Sequence, residues 1–205
     1  MTLSIYQLKP RFQQLLQPVL DRLAKSRVTP NQVTLFALGL SCAYGAALAA
    51  RPDARALWIG VPFFMLLRMA LNAIDGMLAS STGQVSRLGA LLNEICDVLA
   101  DAALYLPFAL AASVSAPLAV LVVVAALVAE FAGVLALSVG VARRFDGPMG
   151  KSDRAFAFSV VAIMLWADAP QRWIDGALWL VLLLSLWTVF NRLRQALRAA
   201  PPLTR

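Results

Sequence analysis

Hydrophobic residues in this chain come in solid runs rather than in alternation. Six runs can be drawn, over residues 31–50, 56–79, 87–112, 116–142, 154–168 and 175–192. Most are about twenty residues long, the length of helix that crosses a bilayer. Solid runs also exclude a membrane barrel, whose strands alternate apolar and polar positions. Before the first run the period changes. Over residues 3–25, Ile5, Leu8, Phe12, Leu15, Leu16, Val19, Leu20 and Leu23 share one helical face, and Lys9, Arg11, Gln13, Arg22 and Lys25 occupy much of the remainder. That pattern suits a helix lying in the membrane interface or a short helix packed on the domain, with Pro10 and Pro18 as candidate breaks. The expected fold is all-α, a polytopic membrane protein with six transmembrane helices and an N-terminal amphipathic interfacial helix. One domain is expected over residues 1–205: an interfacial helix at 1–28, a six-helix core at 31–192 and a cytoplasmic tail at 193–205.

Composition narrows the class. The 205 residues are 60% hydrophobic and only 14% charged, too little charge to cover a soluble surface. A soluble enzyme, a disulfide scaffold and a disordered chain are thereby excluded. Histidine is absent, which removes imidazole acid–base chemistry and imidazole metal ligation. Cys42 and Cys96 both fall inside apolar runs and read as packing residues. The first 25 residues lack the apolar core and small-residue cleavage site of a signal peptide.

Lys and Arg number 18 against 11 Asp and Glu, an excess that in a soluble domain would suggest nucleic acid. Here most of the positive charge lies in short segments between the runs, where it reports topology. Lys9, Arg11, Arg22, Lys25 and Arg27 precede the first run, and Arg143, Arg144, Lys151 and Arg154 lie between the fourth and fifth. Arg192, Arg194, Arg198 and Arg205 end the chain, whereas the opposite loops carry only Arg51, Arg55 and Arg172. Both termini and the 143–154 loop are expected to be cytoplasmic. Trp58, Trp166, Trp173, Trp179 and Trp187 lie mostly near run ends and read as interface anchors.

Ionisable residues within spans are costly and mark functional sites by default. Arg68, Asn72 and Asp75 fall on one face of the second run, at i, i+4 and i+7. Asn93, Asp97 and Asp101 fall on one face of the third at successive i+4 steps, with Glu94 beside them, and Glu130 lies in the fourth. If the second and third runs form a hairpin about positions 84–85, Asp75 lies level with Asn93, Asn72 with Asp97, and Arg68 with Asp101 as an ion pair beneath. Converging carboxylate and amide oxygens suit a hard divalent cation. A buried hydrogen-bond network holding two helices together is the other reading of the same residues.

In order, these residues read Asn72-x-x-Asp75-Gly76-x-x-Ala79-Ser80, eight residues, then Gly89-x-x-x-Asn93-x-x-x-Asp97. The chain thus resembles the CDP-alcohol phosphotransferase (phosphatidyltransferase) family, whose pattern is Asp-x-x-Asp-Gly-x-x-Ala-Arg, a short gap, then Gly-x-x-x-Asp-x-x-x-Asp. The Thr29-Pro30-Asn31-Gln32-Val33-Thr34 stretch and the Gly150-Lys151 segment extend the resemblance over nearly the whole chain. It implies an enzyme of phospholipid biosynthesis that transfers a phosphatidyl group from a CDP-linked donor such as CDP-diacylglycerol to an acceptor alcohol, releasing CMP. It also implies Mg²⁺ or Mn²⁺, two ions in the family, at Asn72, Asp75, Asn93 and Asp97, with Asp97 also the base for the acceptor hydroxyl. Asn31, Thr34, Gly76, Ser80 and Ser86 then attend the donor. Arg143, Arg144, Lys151 and Arg154 hold a small alcohol or phosphorylated polyol acceptor. The same resemblance implies the cytoplasmic (inner) membrane, a lipid donor, a possible homodimer and no nucleic acid. This chain departs from the family at Asn72 and Asn93, where the pattern has Asp, and at Ser80, where it has Arg. An amide oxygen ligates Mg²⁺ but brings no charge, so affinity for two cations should fall. A weakened relative that binds nucleotide-lipid without turnover and an ion or solute transporter are the alternatives. Against the transporter, the charges crowd into one half of a single hairpin.

Overall fold

The computed structural model describes residues 8–201, so the expected helix start at residue 3, Ile5 and the tail residue Arg205 lie outside the described residues. Among the described residues seven α-helices follow one another: α1 Leu8–Lys25, α2 Pro30–Ala50, α3 Arg55–Ser81, α4 Arg87–Tyr105, α5 Ala116–Leu135, α6 Lys151–Trp166 and α7 Gln171–Ala199. Among the described residues there is no strand. Helix α1 runs through Pro18 without a break.

Local chemistry sets the helix ends. Thr29 and Gln32 cap α2 reciprocally: Thr29 N–H donates to Gln32 Oε1 at 2.9 Å and Gln32 N–H to Thr29 Oγ1 at 3.3 Å. Pro30 sits at the first helical position, where its missing N–H costs nothing. Helix α4 starts behind Ser86, whose Oγ accepts from Gly89 N–H at 3.0 Å. At the start of α6 the Asp153 carboxylate accepts the Gly150 N–H at 2.9 Å. The third run was expected to stay helical to residue 112, but α4 ends at Tyr105 and a 3₁₀ segment, Leu106–Leu110, takes over, because Pro107 cannot continue the α-helical ladder. The fourth run likewise leaves α-helix at Leu135 for a 3₁₀ turn, Ala136–Val139, closed by Gly140 at φ 76° rather than running to residue 142. The last helix begins earlier and ends later than the 175–192 run.

Among the described residues four helices are long and apolar enough to cross a membrane: Pro30–Ala50, Arg55–Ser81, Ala116–Val139 and Gln171–Ala199. At 21 residues α2 spans about 30 Å, the thickness of a bilayer core. Helices α4 and α6 stand where the third and fifth spans were expected. They differ from the other four because α4 carries Arg87, Glu94, Asp97 and Asp101, and α6 has only 16 residues, three of them charged near its start. Apolar side chains face outward on the four long helices, among them Phe36, Phe63, Val124 and Leu183. That inversion of a soluble surface fits an integral membrane protein.

The chain resolves into two compact units. One comprises the chain to Ser41 with Leu66–Ala100; the other comprises Cys42–Met65 with Asp101 onward. In the first, α1 packs Leu16, Leu20 and Leu23 against Val33, Ile74 and Leu78. In the second, α5 packs along α7, and its buried positions include the small residues Ala119, Ala126, Ala129 and Ala132. Such residues let helix backbones approach closely where lipid offers no hydrophobic drive. Trp58 was expected as an interface anchor but is buried, donating Nε1–H to Pro52 O at 2.8 Å and meeting Phe108 edge-on. Gly45 marks another close approach: a Cβ there would overlap the Ala103 carbonyl, whereas a Cβ at Gly39 meets nothing within 4 Å. Gly45→Ala should therefore cost about 1–3 kcal/mol through overpacking. A thermal melt in detergent should show a lowered midpoint for Gly45→Ala and none for Gly39→Ala.

Candidate functional site

In the first unit the second half of α3 and α4 form the hairpin anticipated from sequence. Its register agrees with the predicted levels, because Asn72 Nδ2 donates to Asp97 Oδ1 at 3.0 Å. Arg68, one turn earlier on α3, donates Nη2–H to the Asp97 main-chain O at 3.1 Å and stands 3.9 Å from Asp97 Oδ1. Asp75 is buried and accepts from the Thr34 hydroxyl at 2.8 Å, a contact that ties α2 to α3.

A pocket of about 220 Å³ opens beside this hairpin. Asn31, Thr34, Asp75, Gly76, Ser86 and Asn93 all line it, so six of the expected site residues share one cavity. Two helix N-termini also reach it, α2 through Pro30 and Asn31 and α4 through Ser86, Gly89 and Ala90. Gly89 is needed there: an added Cβ would lie 3.0 Å from Asn31 Oδ1 and 3.1 Å from Ser86 Oγ. Helix N-termini present unpaired N–H groups and partial positive charge, so this pocket is built to receive an anion beside a carboxylate. Asn72 and Ser80 line a second pocket of about 650 Å³ with Gln13 and Gln17 of α1, and Gly76 borders both. Of the four motif positions, Asp75 and Asn93 line the first pocket and Asn72 the second.

The donors on this hairpin are carboxylate, amide and hydroxyl oxygens with no imidazole, which fits a hard divalent cation such as Mg²⁺ or Mn²⁺. Among the described residues no three of His, Cys, Asp and Glu converge as a ready metal cluster. The two asparagines account for that: the motif keeps two carboxylates where four acids would give a dense charge.

The second unit holds a buried ionic cluster. Arg154 is fully buried, and its Nη2 donates to Asp101 Oδ2 at 3.0 Å and to Glu130 Oε1 at 2.8 Å, while Nη1 donates to Met149 O at 3.2 Å. Arg143 Nη2 donates to Glu130 Oε2 at 2.8 Å, and Arg192 Nη1 lies 3.4 Å from Glu130 Oε1. Arg144 instead clamps Asp146 through two bonds of 2.7 and 2.8 Å. Of the basic residues expected for an acceptor, Arg143 and Arg154 are therefore brought onto one carboxylate, and Arg144 is turned to another. Lys151 begins α6, half-buried. Asp101 is engaged by Arg154 and Arg68 by Asp97.

Sequence reasoning flagged Glu130 as a costly charge within a span but gave it no partner, and it left Arg192 outside the site. Arg192 closes a buried stripe on α7 with Ser185 and Thr188, a spacing that could have flagged it. It was counted instead as a topology charge at the end of the last span. Gly133 gives the cluster room, since a Cβ there would sit 2.6 Å from Arg144 O and 3.2 Å from Arg192 Nη1.

A family model described as CDP-alcohol phosphatidyltransferase matches residues 27–189. The chain is 44% identical over 200 residues to the inner membrane protein YnbA of Escherichia coli, an alignment covering 95% of this chain and 97% of that protein. It is 33% identical over 201 residues to a phosphatidylinositol phosphate synthase of Corynebacterium glutamicum, covering 95% and 89%. The phosphatidylinositol phosphate synthase of Mycobacterium tuberculosis, solved with CDP-DAG bound, matches with a TM-score of 0.75 at 22% identity, over 94% of this chain and 98% of that one. A structure of the same enzyme with manganese and citrate matches with a TM-score of 0.73, at 22% identity over 92% and 91%. At that identity the likeness is one of fold.

Glu130 is the shared counter-charge of three arginines. Glu130→Ala would leave those guanidiniums buried without it, a loss of about 3–5 kcal/mol. The thermal midpoint should fall by about 10 °C, read in a detergent melt beside the parent.

Proposed function

The chain belongs to the CDP-alcohol phosphatidyltransferase family, and from that premise we propose that its donor is CDP-diacylglycerol and its acceptor a phosphorylated polyol of the inositol phosphate kind. It is an integral membrane enzyme that moves a phosphatidyl group from a CDP-linked lipid to an alcohol. The proposed donor rests on the Mycobacterium tuberculosis enzyme solved with CDP-DAG, and the acceptor on the phosphatidylinositol phosphate synthases among its relatives. The observation that carries the reading is the pocket uniting Asn31, Thr34, Asp75, Gly76, Ser86 and Asn93 at two helix N-termini.

In this reading the cytidine diphosphate lies in that pocket. The N-terminal amides of α4 meet phosphate oxygens, and Asn31 and Thr34 flank the nucleotide. Gly76, with no side chain, lets the diphosphate run close along α3. Asn72, Asp75, Asn93 and Asp97 are the residues that would hold a divalent cation. When bound, it neutralises the non-bridging oxygens and the leaving CMP. Asp97 takes the proton of the acceptor hydroxyl as that oxygen attacks the phosphatidyl phosphorus; the bond from phosphorus to the CMP oxygen breaks and CMP departs with its electron pair. The Asn72 amide holds the Asp97 carboxylate for that transfer, and Arg68 anchors the Asp97 main-chain O. Arg143, Arg144 and Lys151, which keep exposed surface, are the basic residues for an acceptor phosphate, since guanidinium forks match phosphate geometry, and buried Arg154 and Arg192 support Arg143 through their shared Glu130.

For topology, six spans with α1 at the interface and both termini in the cytoplasm are the reading that the loop charges support. The inner membrane is the corresponding location, as in the name of the Escherichia coli relative.

Purified protein in nanodiscs should release CMP from radiolabelled CDP-diacylglycerol when given Mn²⁺ or Mg²⁺ and an inositol phosphate, and a chelator should stop it. Product with a neutral alcohol alone would overturn the acceptor class. Donor binding without product from any alcohol would point to the weakened relative. Gly76→Ala gives a narrower check. Its Cβ meets nothing within 4 Å, so folding should stand. A methyl in the donor path should raise the donor KM about tenfold, equivalent to about 1.4 kcal/mol.

A further inference from the structure

We propose that the C-terminal end of α7 is a binding site for an anionic phospholipid of the bilayer. Arg194 and Arg198 take its headgroup phosphate, and Phe190, Leu193 and Leu197 take the upper part of an acyl chain. The site shares no residue with the donor pocket, and the proposal does not depend on the transfer reaction.

Helix length sets the depth of this end. The 29 residues of α7 extend about 43 Å, whereas the hydrocarbon core is about 30 Å thick and the bilayer with its headgroups about 40–45 Å. Exposed Trp173 stands near one end of the helix. Toward the other stands exposed Trp187, its ring 5.7 Å from that of Phe190. Aromatic residues of this kind settle at the edges of the core. Residues 191–199 therefore lie past the core, at the depth of lipid phosphates and glycerol esters.

That end does not display the face of a soluble helix. Phe190, Leu193 and Leu197 recur at i, i+3 and i+7 and are 54%, 38% and 70% exposed. Arg194 and Arg198, also exposed, run one turn apart along the flank of this apolar strip. The five side chains line a groove of about 390 Å³, within the range of about 300–1,000 Å³ found for small-ligand sites.

Charge selects the occupant. No acid follows Asp175 in the chain, and among the described residues no carboxylate pairs with Arg194 or Arg198. Two guanidiniums a turn apart match phosphate oxygens and repel the ammonium of a zwitterionic headgroup, so a lipid of net negative charge fits best. The exposed leucines favour a lipid over a free phosphate, because only an acyl chain removes their surface from water. Arg192 lies toward the opposite face, buried near Glu130, so the arginines of this end divide between two tasks.

The test reads binding without turnover. Full-length protein in neutral-detergent micelles is titrated with phosphatidylglycerol or phosphatidylcholine, and bound lipids are counted by native mass spectrometry. The parent should retain one phosphatidylglycerol at concentrations roughly 10–30-fold below those needed for phosphatidylcholine, the preference that two arginines at a charged membrane surface supply. Arg194→Gln/Arg198→Gln should abolish that preference. Arg51→Gln/Arg172→Gln, which removes the same charge from exposed arginines elsewhere, should keep it. Leu193→Ser/Leu197→Ser should weaken retention of both lipids. All these side chains are exposed, so each variant should melt near the parent. No preference in the parent, a preference that survives the loss of Arg194 and Arg198, one lost equally in the control, or full retention by the serine variant would overturn the proposal. Displacement of the lipid by excess inorganic phosphate would overturn it in favour of a free-anion site. A dimer mass that disappears in the same variants would overturn it in favour of a second copy of the chain on this strip.

Discussion

Arg154 has no exposed surface, and its guanidinium is held between Asp101 and Glu130. Lipid offers no water to solvate a charge, so a buried arginine must find its counter-charges inside the protein. Glu130 in turn gathers Arg143 and Arg192, and the carbonyls of Met149 and Ala129 take remaining donors. Much of the second unit follows from this requirement. Gly133 is small so that Arg144 and Arg192 can come close, and many of the buried positions of α5 are alanines. The irregular segment before α6 then brings Arg143, Asp146 and Met149 back to the cluster.

The first unit meets the same constraint with amides and hydroxyls. Thr34 attends Asp75, and Asn72 attends Asp97, so neither bond needs a second formal charge. Buried ion pairs and polar networks of this kind are weak sources of stability, because desolvation consumes most of the attraction. Apolar residues of similar volume would pack a membrane helix pair at less cost. That the chain keeps Thr34 and Asp75 in a pocket reached by two helix N-termini is best explained by chemistry performed there.

Much of this was legible in the sequence because two periodicities met at one turn. The i, i+4 and i+7 spacing of Arg68, Asn72 and Asp75, reflected about the turn, gave the hairpin register that the Asn72–Asp97 hydrogen bond displays. Loop charges and apolar runs located every helix. Helix ends were less legible, because a hydropathy run does not register a backbone break: Pro107 and Gly140 end helices inside apolar stretches. The grip of Glu130 on three arginines was also hidden. Its partners come from α6, α7 and the segment before α6, and nothing local links residue 130 to 192. Nor could spacing reveal that Asn72 turns its amide nitrogen to Asp97, a choice settled by which neighbour carries the negative charge.

The central claim is that the two motif carboxylates serve reaction rather than folding. The direct test is to measure thermal midpoint and CMP release side by side for the Asp75→Asn/Asp97→Asn double variant. The account predicts a folded variant, its midpoint lowered only modestly because Arg68 keeps the Asp97 main-chain acceptor, with transfer abolished. Transfer that persists, or that disappears only because the variant no longer folds, would contradict it.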